Sequence, residues 1–142
     1  MKAYADTSFL VSLYTPDVNS AQAATVMNRV VLPALSTSLG ELELINALHL
    51  RLFRKELRSK EVRAARAAFR KDLETGIYAL EPLSAAVFVL ARRISQKRTP
   101  RLGTRTFDIL HVAAAVVLRA DTFLTFDTRQ ERLAKAEGLR TL

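Results

Sequence analysis

Four acidic residues in this chain sit where a carboxylate can do more than dissolve a surface. They are Asp6, Glu43, Asp108 and Asp127. Carboxylates gathered at one place repel each other and partly protonate unless a cation joins them. The chain has no cysteine and only two histidines, so a metal here would be held mainly by oxygen. Oxygen ligands suit hard ions such as Mg²⁺, Mn²⁺ or Ca²⁺.

Fourteen acids are present in all, and most have ordinary explanations. Glu56, Glu61, Asp72, Glu74, Glu131 and Glu137 fall on predicted helix surfaces or ends, where charge is simply solvated. Asp17 reads as a helix cap. Asp6 directly follows a short apolar run and precedes a helical pattern. From local sequence alone, capping is its better explanation, and capping is compatible with a metal role. Asp127 repeats that arrangement. Asp121 lies at the other end of the same predicted strand, roughly 20 Å away at about 3.3 Å per residue, so the two cannot share a site.

Glu41 and Glu43 point about 200° apart on a helix, so only one can face a given cleft. Ser38 and Glu41 have capping-box spacing, which gives Glu41 a structural task. Glu43 has none and shares its face with Asn46 and Ala47. Asp108 opens an almost wholly apolar helix, where its plain explanation is stabilisation of the helix dipole, about 0.3–1 kcal/mol. His111 follows one turn later. A lone histidine on a buried helix is usually a packed, hydrogen-bonded core residue, so it is expected behind the carboxylates at most. Glu81 is the spare candidate, provided its strand lies near the point where strand order reverses.

The elements that must position these groups alternate between strand and helix. Strands are predicted at Lys2–Ala5, Pro33–Thr37, Ile77–Leu80 and Thr122–Phe126, with a possible fifth at Leu139–Leu142. Helices are predicted from Thr7 to Tyr14, from Asp17 to about Val30, and from Ser38 to about Lys55. Others run from Ser59 to before Gly76, from Ser84 to about Lys97, from Thr106 to about Arg119, and from Asp127 to Gly138. Gln96 to Arg105 reads as a basic loop. The pattern implies one α/β domain spanning residues 1–142. It has a parallel sheet of four to five short strands with helices on both faces. Ligands of such sheets bind beyond the carboxyl ends of the strands.

The four positions resemble the PIN-domain family and, within it, the VapC toxins of toxin–antitoxin pairs. The resemblance is carried by Ala5-Asp6-Thr7-Ser8, by Leu42 to Leu48 around Glu43, by Phe107-Asp108-Ile109-Leu110-His111 and the alanines after it, and by Phe123 to Asp127. Each piece alone is weak, but four in order along nearly the whole chain are specific. The resemblance implies that Asp6, Glu43, Asp108 and Asp127 are catalytic and bind Mg²⁺ or Mn²⁺. It favours Glu43 over Glu41 and Asp127 over Asp121. It places Thr125 and Ser8 near the site as polar helpers; Asn46, from the face it shares with Glu43, and His111, from its place behind the carboxylates, are expected around the same site on the residues alone. It further implies a metal-dependent endoribonuclease leaving 5′-phosphate and 3′-hydroxyl ends, a small antitoxin partner and a homodimer.

The net charge of +8 suits a polyanionic partner. No acid occurs between Glu81 and Asp108. Lys97, Arg98, Arg101 and Arg105, in the basic stretch leading into Asp108, are the expected RNA contacts. The stripe Arg63, Arg66 and Arg70 reads instead as a solvated helix face. No stretch is long and apolar enough to span a membrane. An aspartate inside the first apolar run is unlike a signal peptide, so a cytoplasmic location is expected. The competing reading is a non-catalytic nucleic-acid-binding or protein-interaction module on the same fold.

Overall fold

The computed structural model describes residues 1–142. The elements run β1 (Ala3–Ala5), α1 (Thr7–Tyr14), α2 (Ser20–Met27), β2 (Ala34–Thr37), α3 (Ser38–Phe53), α4 (Ser59–Glu74), β3 (Tyr78–Glu81), α5 (Ala85–Leu102), α6 (Thr106–Val117), β4 (Thr122–Leu124) and α7 (Thr128–Ala136). The four strands form one parallel sheet in the order β3-β2-β1-β4. Tyr4 of β1 is opposite Leu35 on one side and Phe123 on the other. Thr37 ends β2 opposite Glu81 of β3. The possible fifth strand amounts to a single bridge between Thr122 and Arg140.

The period-two alternation of strand side chains divides the interior into two cores. Tyr4, Leu35 and Phe123 point into one, filled by α5, α6 and α7. Ala3, Ala5, Ala34 and Leu124 point into the other, filled by α1 to α4. The central strands are therefore buried on both faces, as a parallel sheet requires. Tyr4, Phe9 and Phe123 have no exposed surface, and burying each contributes about 1.5–3 kcal/mol. The alanines of α6, Ala113 to Ala115, are also fully buried, so this helix lies close on the sheet.

Several local expectations shift, each for a physical reason. The cap of α3 is Thr37, whose hydroxyl accepts from Gly40 N at 3.3 Å. That one-residue offset puts glycine where a capping box needs an acid, so the pairing of Ser38 with Glu41 does not form. The N-cap of α2 is Asn19, without a side-chain bond. Asp17 instead organises the preceding turn, accepting from Ser12 Oγ at 2.7 Å and from Asn19 N at 2.8 Å. The expected basic loop is mostly helix. α5 continues through Lys97, Arg98 and Arg101 and stops at Gly103, whose φ of +61° is the left-handed region glycine tolerates. Good helix formers outweigh the single donor lost at Pro100. β4 stops at Leu124 rather than Phe126, and beyond it Phe126 N donates to Ser8 Oγ of α1 instead of continuing the ladder.

Candidate metal centre

β1 lies between β2 and β4, and the chain leaves β1 in one direction and returns at β4 on the other side. Strand order reverses between β1 and β4. Asp6 follows the first of these strands, and Asp127 stands shortly beyond the second.

Asp6 has no exposed surface. It caps α1, and its Oδ1 accepts from Phe9 N at 2.9 Å and from Ser8 Oγ at 2.8 Å. Its Oδ2 accepts from Thr125 Oγ1 at 2.6 Å. Thr125 Oγ1 in turn accepts from Asp127 N at 2.9 Å. Ser8 Oγ accepts from Phe126 N at 2.9 Å. Ser8 and Thr125 thus tie the ends of β1 and β4 into one rim. Burial raises the pKa of Asp6 above the ordinary aspartate value, and its hydrogen bonds only partly oppose this.

Asp127 caps α7, with Oδ1 accepting from Arg129 N at 2.8 Å and Gln130 N at 3.3 Å. Asp108 stands in the first turn of α6, where Oδ2 accepts from Arg105 N at a long 3.4 Å. Burial raises its pKa too, and the nearby charge of Asp127 adds to the rise. These two acids are therefore electrostatic neighbours although their helices are separate.

Glu43 reaches the rim from α3. Its Oε2 accepts from Thr7 Oγ1 at 2.5 Å and pairs with His111 Nε2 at 2.5 Å. Burial opposes its ionisation, but the hydrogen bonds from His111 and Thr7 outweigh burial and hold its pKa below the usual glutamate value. Both bonds fall on Oε2, leaving Oε1 without a protein partner.

The four acids are thus linked in space. Thr125 joins Asp6 to Asp127, whose charge reaches Asp108. Asp108 is one turn from His111, which binds Glu43, and Glu43 binds Thr7, the neighbour of Asp6. Thr7 was absent from the expected helpers, although its position beside Asp6 in the Asp-Thr-Ser run was the available signal. Asn46 stands outside the web: it is exposed and makes no hydrogen bond to these groups. Glu81 ends the edge strand β3, two strands from β1, and takes no part. Asp121 lies at the far end of β4, bonded to Lys2 N and paired with Arg140. Of the expected RNA contacts, Lys97, Arg101 and Arg105 are exposed. Arg98 is not free, because Nε is 2.6 Å from Glu137 Oε1 and NH2 is 2.6 Å from the carbonyl of Ala136.

No three His, Asp or Glu side chains stand together closely enough to hold a metal ion by themselves. An open site still fits a hard cation. Mg²⁺ normally keeps several waters and takes only one or two carboxylates plus substrate phosphate. Asp108, Asp127 and Glu43 each retain an oxygen free of protein hydrogen bonds, and Asp6 and Asp108 are acids whose charge burial disfavours. A cation would relieve that cost. Two hollows lie elsewhere. One, of about 670 Å³, is beside Met1, Thr122 and Arg140. The other, of about 650 Å³, runs between α3 and α4 beside Arg63, Arg66 and Arg70. Asp6, Asp108 and Asp127 line neither.

A parallel α/β sheet with carboxylates at its switch point defines the general class of the molecule. The family model of the PIN domain matches residues 3–136, and the chain belongs to the PIN domain family. No curated protein sequence matches it. Among solved structures, it is similar to VapC20 of Mycobacterium tuberculosis, a toxin that cleaves the sarcin–ricin loop. That likeness has a TM-score of 0.71 and 18% identity, covering 95% of each chain. It is also similar to FitAcB from Neisseria gonorrhoeae, with a TM-score of 0.69 and 18% identity, covering 99% of this chain and 96% of the other. At these identities the likeness concerns the fold.

Proposed function

We propose that the chain is a metal-dependent endoribonuclease of the VapC toxin type. The observation that carries this reading is the linkage of Asp6, Glu43, Asp108 and Asp127 around the carboxyl ends of β1 and β4. Asp6, Asp108, Asp127 and the free oxygen of Glu43 would hold Mg²⁺ or Mn²⁺. When bound, such an ion offsets the repulsion between carboxylates and phosphate, polarises the phosphodiester and lowers the pKa of water for attack.

The protein's own groups do the rest. Ser8 and Thr125 orient the Asp6 carboxylate, and Thr7 and His111 orient that of Glu43. Lys97, Arg101 and Arg105 attract the polyanion to the side of the rim where Asp108 stands, holding phosphates without reading bases.

The likeness to VapC20 supports a role as a toxin with an antitoxin partner, and homodimer formation accompanies that reading. Exposed apolar residues on α3 support a protein partner. Leu42 is 63% exposed and Phe53 83%, and Leu50 lies near them on the same side of the helix. No helix is long and apolar enough to cross a membrane.

Incubation of the purified protein with total RNA in EDTA, Mg²⁺ or Mn²⁺, beside Asp6→Asn, tests the proposal. Cleavage is expected only with metal and only by the unaltered chain, with 5′-phosphate ends on the fragments. Equal cleavage by Asp6→Asn would refute the assigned site. The absence of a closed carboxylate cage favours one competing reading, a non-catalytic RNA-binding module. Metal-independent RNA binding without cleavage, by protein freed of any co-purified inhibitor, would support that alternative.

A further inference from the structure

Behind Glu43 lies a chain of buried polar groups that its role as a single carboxylate does not require. His111 is 1% exposed, yet both ring nitrogens are used. Nε2 meets Glu43 Oε2, and Nδ1 is 2.8 Å from the hydroxyl of Tyr4. That hydroxyl is 3.3 Å from Thr37 Oγ1, which accepts from Gly40 N. Read in one direction, the donors and acceptors close without a gap. The amide of Gly40 donates to Thr37, Thr37 to Tyr4, Tyr4 to His111 Nδ1, and the remaining Nε2–H to Glu43. The histidine tautomer is then dictated by the tyrosine, because a ring nitrogen that accepts leaves the other to donate.

The surrounding packing allows this chain little freedom. Tyr4 stacks on Phe123, with ring centroids 5.5 Å apart and planes 9° from parallel. It meets the His111 ring edge-on at 5.9 Å. Burial raises the pKa of the Tyr4 hydroxyl, which keeps it a neutral donor. The imidazole packs beside Gly40 of α3, where an added side chain would meet Ser36 before it met the ring. A Cβ there would stand 3.6 Å from His111 Cε1 and 2.6 Å from Ser36 Oγ. Two strands and two helices therefore converge on one oxygen of Glu43.

We infer that Tyr4 and His111 are positioning residues that hold Glu43 Oε2, so that Oε1 is presented to a divalent cation at the rim. This deepens the proposed function and rests on its metal site. A carboxylate on a long side chain has three torsions to freeze before it can bind an ion. Outer groups that freeze it in advance are commonly worth about 10- to 100-fold in metal affinity. Neither residue touches RNA or the ion. Their effect is transmitted wholly through Glu43.

Calorimetric titration with Mn²⁺, without RNA, separates this role from simple packing. Thermal melting of every variant accompanies it. His111→Leu keeps bulk but donates nothing, and is expected to bind Mn²⁺ about 10- to 100-fold more weakly. His111→Gln can place an amide donor near the same Glu43 oxygen and is expected to recover most of the affinity. Tyr4→Phe preserves the stack on Phe123 while freeing the tautomer, and is expected to give an intermediate loss. Folded His111→Leu with wild-type affinity would overturn the inference. So would equal losses in the leucine and glutamine variants, which would reduce His111 to a packing residue. Wild-type protein that binds no Mn²⁺ would instead refute the metal site itself. In that case the coupling between His111→Leu and Glu43→Gln in metal-free unfolding decides the relay alone, and a coupling near zero would overturn it.

Discussion

Asp6 carries two opposed demands. It caps α1 through Phe9 N and stands where a cation is proposed, yet it has no exposed surface. Burial raises its pKa in the folded chain above the ordinary aspartate value. A raised carboxyl pKa means the neutral form is preferred on folding. The stability it contributes is complete below the unfolded value and is lost as pH rises through the folded value. Metal-free protein at neutral pH therefore bears the cost of the buried charge. Asparagine caps a helix as well as aspartate does. Asp6→Asn should then melt above the wild type at pH 7 in EDTA, by about 1 kcal/mol or roughly 4 °C. The gap should close as pH falls through the raised value of Asp6, and Mn²⁺ should stabilise only the wild type. A variant that melts lower in EDTA would show that the charge is well compensated. Glu43 has the opposite sign. Its lowered pKa contributes stability that is complete above the ordinary glutamate value and lost as pH falls through the folded value.

Which acids stand at the rim was partly legible from position. The rim locations of Asp6 and Asp127 follow from strand-to-helix order, and helix geometry separates Glu43 from Glu41. The capping argument used against Glu41 fails, since Thr37 takes the cap, although the choice of residue does not depend on it. Thr7 and the two-sided use of His111 were not legible, because hydrogen bonds across 36 and 68 residues of chain depend on how α1, α3 and α6 meet.

At the scale of elements, the contact between β2 and α3 depends on one missing side chain. Gly40 is helical, yet an added Cβ would lie 2.6 Å from Ser36 Oγ, whose hydroxyl donates to the carbonyl of Ala5 at 3.1 Å. Gly40→Ala would normally gain about 1 kcal/mol of helix propensity. Here the clash should dominate, costing about 1–3 kcal/mol in urea unfolding with an unchanged m-value. In a Ser36→Ala background the penalty should largely disappear. An undiminished penalty there would place the strain elsewhere, against His111 for example. The alternation of strands and helices was readable from periodicity and turn residues. The end of α5 was not: a run of lysine and arginine looks like a loop, but those side chains are also good helix formers, and the true stop is Gly103.

Over the whole molecule, positive charge is not interchangeable. Arg98 clamps α5 to the end of α7 through Glu137 and the carbonyl of Ala136, whereas Lys97, Arg101 and Arg105 face solvent. Arg98→Ala should lower stability by about 1 kcal/mol and leave the salt dependence of RNA binding unchanged. Alanine at Lys97, Arg101 or Arg105 should do the reverse. Each should reduce the slope of log affinity against log salt by about 1 for a direct phosphate contact, or about 0.7 on a single strand. An unaltered slope in all three would move the RNA path elsewhere, with the arginines of α4 beside the second hollow as the next place to look. Net charge announced a polyanion, but only the packing of α5 on α7 separates the cation that holds the protein together from those free to meet a partner.

The central claim is that these carboxylates hold a divalent cation at the switch point between β1 and β4. Anomalous scattering from crystals soaked in Mn²⁺ tests it most directly. The account predicts a peak within coordination distance, about 2.0–2.3 Å, of oxygens from Asp6, Asp108 or Asp127, with Glu43 facing it. That peak should vanish in crystals of Asp6→Asn. Well-occupied Mn²⁺ elsewhere in the molecule, with none at this rim, would contradict it.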